Sequence, residues 1–218
     1  MARDGTTVVT VFEKPIDGGS ERLFEYPQSP NVPSGFYPVQ ITPKGIMVAF
    51  AIRDGNRDVL TIAPGEARAF AQSTDNETQP ALSPNERWMA YVSDAEGGDE
   101  AVVVWVEAFP EGGKKVRASA NIPGVQPRWR KDGKELYFLA KSGNLMAVTV
   151  EESGGTLKLG PPHKLFHTTA NTSSGLGTRA NYDATRDGAT FIVAEVPDDV
   201  ETRVVTVLVN WMSALKKK

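Results

Sequence analysis

The chain has 218 residues, of which 40% are hydrophobic and 23% charged, an ordinary balance for a globular protein. Its net charge of -3 and pI near 5.5 argue against the basic face that nucleic-acid binding normally requires. The absence of cysteine excludes disulfides and thiolate metal sites, and no apolar run approaches the roughly 18 residues of a membrane span.

In chain order, the opening Met1-Ala2-Arg3-Asp4-Gly5-Thr6 lacks the apolar core of a signal peptide, which leaves the compartment open. Thr7 to Lys14 and Ser20 to Phe24, separated by Asp17-Gly18-Gly19, read as the last two strands of a sheet. A phrase then recurs. It appears first as Tyr37-Pro38-Val39-Gln40-Ile41-Thr42-Pro43-Lys44-Gly45, leading into a strand from Ile46 to Ile52. The second copy runs Gln79-Pro80-Ala81-Leu82-Ser83-Pro84-Asn85-Glu86, leading into Trp88 to Ser93. The third is the fullest: Gln126-Pro127-Arg128-Trp129-Arg130-Lys131-Asp132-Gly133, leading into Glu135 to Ala140. The fourth, Asn181-Tyr182-Asp183-Ala184-Thr185-Arg186-Asp187-Gly188, leads into Thr190 to Ala194. Asp-Gly between two apolar runs predicts a hairpin, because both residues tolerate the positive φ of tight turns.

Pro38 and Pro80 lie 42 positions apart and Pro80 and Pro127 lie 47 apart, close to the roughly 40 to 50 residues of a four-stranded propeller blade. Asp132 and Asp187 are 55 apart, and the Thr-, Ser-, Gly- and Asn-rich stretch Thr168 to Arg179 reads as the inserted loop. Each copy continues into two further strand-like runs: Asp58 to Ile62 and Ala67 to Phe70, Ala101 to Glu107 and Lys114 to Ala118, Leu145 to Val150 and His163 to Phe166. A last strong run, Arg203 to Asn210, precedes a short basic tail at 211–218. The predicted class is therefore all-β: residues 1–218 form a single small or partial β-propeller of four-stranded antiparallel blades, about four to five in number. The N-terminal strands either complete the last sheet or stand apart from it, or the whole chain is the C-terminal part of a larger propeller. Open blade edges would then invite a homodimer.

Pro-x-Trp-x-x-Asp-Gly-Lys-x-Leu-x-Phe, at Pro127 to Phe138, resembles the repeat of the TolB-type β-propellers, and the likeness extends from about Tyr37 to Asn210. The Leu208-Val209-Asn210-Trp211 ending with Lys216-Lys217-Lys218 is similar to the C-terminal propellers of certain bacterial serine/threonine protein kinases, although the sequence contains no kinase motif. This resemblance implies an extracytoplasmic or periplasmic position.

Catalytic patterns are sparse. No Gly-x-Ser-x-Gly occurs, and Ser174-Gly175-Leu176-Gly177 lacks the strand-turn-helix setting of a nucleophile. His163 and His167 lack the Glu of a zinc-protease helix, and the acidic stretches Asp94 to Glu100 and Asp198 to Glu201 lack calcium-loop spacing, so neither a metal nor a cofactor is expected. Propellers bind at the mouth of the central channel, where the innermost strands begin. Tyr37, Gln79, Gln126 and Tyr182 fall there, with Arg128 and Arg130 beside them. Such residues suit a polar or anionic ligand or a peptide end through charge-assisted bonds, or they merely satisfy backbone groups in turns. The reading is a non-catalytic interaction or sensor module with a protein or peptide partner. The alternative is a propeller hydrolase or lyase acting on a carbohydrate or ester.

Overall fold

The computed structural model describes residues 12–13, 18–23, 36–53, 55–63, 66–97, 101–173 and 180–195. The expected strand from Arg203 to Asn210, the basic tail, the acidic run Asp198 to Glu201, and the Ser174 to Gly177 stretch lie outside the described residues. No α-helix occurs among the described residues, and no helix there is long and apolar enough to cross a membrane.

Two short strands, β1 (Phe12–Glu13) and β2 (Arg22–Leu23), pair antiparallel, as the N-terminal reading expected. The first four-stranded sheet follows: β3 (Phe36–Ile41), β4 (Met47–Arg53), β5 (Asn56–Ala63) and β6 (Glu66–Ala71), joined in chain order. The second is β7 (Glu77–Leu82), β8 (Trp88–Ser93), β9 (Val103–Ala108) and β10 (Val116–Arg117), again in order. The third contains β11 (Gly124–Trp129), β12 (Glu135–Ala140), β13 (Asn144–Ser153), β14 (Thr156–Leu159) and β15 (His163–His167). A fourth sheet is represented by β16 (Tyr182–Ala184) and β17 (Phe191–Val193). These are the meandering antiparallel blades of a small or partial β-propeller.

Blade packing explains why the second strands contain no polar alternation. In β8, Trp88, Ala90 and Val92 join the cluster shared with the third blade, while Met89 and Tyr91 join the cluster shared with the first. Successive side chains point to opposite faces, and both faces are covered, so the strand is buried along its whole length and apolar from Trp88 to Val92. The same logic buries all of Leu136 to Ala140 in β12.

The third blade holds one element more than expected. Rather than ending at Val150, β13 continues to Ser153 and folds back through Gly154 and Gly155, both at positive φ (56° and 77°), into β14. Two consecutive left-handed residues make the two-residue turn whose twist matches paired strands. β15 then returns to the first half of β13, completing a four-stranded blade beneath this side hairpin.

Candidate functional site

Each of the first three innermost strands has a bulge at the corresponding place: at Val39, between Pro38 and Gln40, in β3, and at the Gln-Pro pairs between Thr78 and Ala81 in β7 and between Val125 and Arg128 in β11. Proline has no N–H for the ladder, so a bulge is where an inner strand can accept one. Gln79 and Gln126, each just before the proline, sit at φ 54° and 58°. Their side chains are thereby turned toward the next blade. The Gln79 side-chain carbonyl accepts the N–H of Gln126 at 2.6 Å, and that of Gln126 accepts the N–H of Asn181 at 2.8 Å. One blade's bulge thus bonds the corresponding residue of the next.

Gln126 does more than this. Its amide nitrogen donates to the Asn171 carbonyl at 2.9 Å, and its own carbonyl accepts from the Tyr182 hydroxyl at 2.7 Å. Burial raises the Tyr182 phenol well above its ordinary value, with Arg128 opposing the shift, so the ring is a neutral donor rather than an ionised base.

Beside this ladder the inner strands line a solvent-open cavity of about 590 Å³. Arg128 and Trp129 line it from β11, Ala81 and Leu82 from β7, Val39 and Gln40 from β3, and Tyr182 and Asp183 from β16. Lys131 and Pro84, in the turns that follow β11 and β7, complete its rim. Trp129 is held by its indole N–H, which donates to the Ala81 carbonyl of the previous blade at 2.9 Å. Arg128 is half-buried, and its guanidinium makes no hydrogen bond or ion pair among the described residues. Lys131 is likewise without a partner there, and the acid of the lining, Asp183, accepts only the Ala184 N–H at 2.9 Å. Two cations therefore face one carboxylate. An adjoining space of about 20 Å³ reaches Gln79 and Gln126.

The structure thus gathers four of the six residues singled out from sequence: Gln79, Gln126, Arg128 and Tyr182. Of these, Gln79, Gln126 and the Tyr182 hydroxyl spend their polar groups on the blade seams, whereas Arg128 makes no such bond among the described residues. Arg130 lies outside the lining. Asp132 holds it through two bonds of 2.7 and 2.9 Å and Glu135 through one of 2.8 Å, and this pairing keeps the Asp132 carboxyl down at about 2. Tyr37 also lies outside; its ring stacks on Phe50 with centroids 4.9 Å apart. Aligned on the turns, Thr42-Pro43 matches Ser83-Pro84, so Pro38 and not Tyr37 occupies the place of Gln79. Lys131 and Asp183 were missed, although each directly follows a residue already implicated. The described residues contain no group of three or more His, Asp or Glu side chains able to hold a metal.

No family model matches the sequence. Among solved structures, the chain is similar to TolB from Acinetobacter baumannii, with 14% identity and a TM-score of 0.55 over 87% of this chain and 43% of that one. A protein assigned as TolB from Agrobacterium tumefaciens matches with 18% identity and a TM-score of 0.50, over 72% of this chain and 57% of that one. A puromycin-hydrolyzing peptidase from Mycobacterium tuberculosis matches with 18% identity and a TM-score of 0.50, covering 77% of this chain and 29% of that one. The chain therefore has the fold of a TolB-type β-propeller, and it spans about half the length of the TolB chains it matches.

Proposed function

We propose that the protein is a non-catalytic propeller module that binds a polar or anionic ligand, or a protein or peptide presenting such a group, in the central cavity. The observation that carries this reading is Arg128: a half-buried guanidinium with no partner among the described residues, lining a space of about 590 Å³. Pockets for small ligands commonly measure roughly 300–1,000 Å³. A cation that makes no ion pair with its own chain is free to form charge-assisted bonds with a ligand. Tyr182 shapes the wall, and Gln79 and Gln126 hold it in place. Arg130 is engaged by Asp132 and Glu135, and the Tyr37 ring stacks on Phe50, so neither is assigned to ligand binding in this reading. The reading also includes self-association along an unpaired blade edge; its solution mass would then be that of a dimer, and a monomer at working concentration would remove this part.

The catalytic alternative, a hydrolase or lyase acting on a carbohydrate or ester, draws on Asp183, a carboxylate beside Arg128 in the same lining. One experiment separates the two. Purified protein, Arg128→Ala and Tyr182→Phe are assayed against ester and glycan panels, and ligand binding is followed by the Trp129 indole N–H signal. Binding that Arg128→Ala weakens about 10- to 100-fold, without turnover, supports the module. Turnover lost in both folded variants would establish the enzyme instead.

A further inference from the structure

We propose that the cavity recognises the α-carboxylate end of an apolar amino acid, either free or as the last residue of a peptide. This rests on the reading of the cavity as a binding site and narrows what it takes. Charge selects the anion. Arg128 and Lys131 oppose Asp183 in one lining, so the site suits a single negative charge better than a dianionic phosphate, which would leave net repulsion against Asp183. The planar guanidinium fork matches the two oxygens of a carboxylate. Asp183 spends one oxygen on the Ala184 N–H, and its other oxygen has no partner among the described residues. Asp183 is exposed, and an N–H group next to the bound carboxylate, as an amino acid or peptide end carries, can donate to that oxygen in place of water. Pro84 and Trp129 add apolar surface to the same lining, and the volume greatly exceeds what a carboxylate alone would fill. The Tyr182 hydroxyl is already committed to the Gln126 carbonyl, so orientation falls to Arg128 and Asp183.

The test follows the Trp129 indole N–H by NMR, with the Trp88 indole, which packs in the blade core, as internal control. The titrants are leucine, leucinamide, the tripeptide Gly-Gly-Leu, its C-terminal amide, and inorganic phosphate. Both free acids are expected to shift Trp129 saturably and both amides to bind at least about 10-fold more weakly, the worth of one charge-assisted contact. Arg128→Ala should abolish that difference. Lys131→Ala, at an exposed position where the fold does not depend on the side chain, should reduce it. Equal affinity for the two acids points to a free amino acid as the source, and tighter tripeptide binding points to a chain terminus. Equal binding of acids and amides overturns the inference. Saturable binding of phosphate without the acids also overturns it but leaves the cavity a binding site. If no titrant shifts Trp129, both this inference and the reading beneath it fall.

Discussion

Glu86 holds φ at 56°, in the position that Gly45, Gly133 and Gly188 occupy in the other three hairpin turns. Each of these turns is closed by the same bond, from the N–H of the left-handed residue to a carbonyl three residues back. A side chain in that region carries strain that glycine avoids. Glu86→Gly should therefore stabilise the protein by about 0.5–1 kcal/mol, and Gly133→Ala should destabilise it by about 1 kcal/mol or more, both read from urea unfolding. The Asp-Gly pair at Asp132 was legible as a turn because the local backbone alone demands it. Asn85-Glu86 was legible only through the repeat.

Glu77 is a different case at the same scale. It lies buried on β7, facing the first blade. One carboxylate oxygen is bonded by Ser73 at 2.7 Å and Ser93 at 3.4 Å, while the other has no partner among the described residues. Burial raises its pKa above the ordinary 4.5, with Asp58 adding to the shift and Ser73, Lys115 and Ser93 opposing it. A raised folded-state value means that the folded protein holds the proton more tightly than the unfolded chain. The resulting stability is complete below pH 4.5 and is lost as pH rises through the raised value. Glu77→Gln, neutral at every pH, should flatten that loss. The check is urea midpoints from pH 4 to 8, where the wild-type midpoint should fall more steeply than the variant's. No sequence pattern marks Glu77, because its burial comes from the neighbouring blade.

At the scale of elements, the repeated Gln-Pro pairs are bulges that tie blades together. Gln126→Ala removes the acceptor for the Asn181 N–H and one donor to the Asn171 carbonyl. Losing buried bonds of this kind costs about 1–3 kcal/mol. Urea unfolding should show that loss, and the Asn181 amide signal should shift while β12 amides stay put. Gly124, at the start of β11, lies under the Phe138 ring, and an added Cβ would enter the ring's own volume. Gly124→Ala should destabilise by about 1–3 kcal/mol through overpacking, visible as a lowered Tm. Pro80 and Pro127 were readable as landmarks of the repeat. Their role was not, since a bulge is defined by the partner strand and not by the strand that carries it.

Across the whole molecule, one apolar cluster runs through the second, third and fourth blades. The Phe191 ring meets Tyr137 edge-on at 5.0 Å and Phe166 at 5.5 Å, wedging the fourth blade against the third. That wedge sets where Tyr182 and Asp183 stand in the cavity wall. Phe191→Ala should lower stability by about 2–4 kcal/mol, since the ring is only partly buried, and should weaken cavity binding although it touches no ligand. Denaturant unfolding and the Trp129 titration, run on the same sample, test both effects.

By itself the sequence determined the class of fold, the number of recurring phrases and the boundaries of the second strand in two of the blades. Those features rest on local turn chemistry and on side chains alternating between two covered faces, which a single chain records. Only the tertiary structure decided that Arg128 has no hydrogen-bond or ion-pair partner among the described residues while Arg130, two residues on, is paired with Asp132 and Glu135. Arg130 closes on Asp132 and Glu135 within its own hairpin, whereas Arg128, beyond the bulge on β11, lines a cavity that several blades build together. The cavity likewise exists only between blades, so its charge balance could not be read from any one of them.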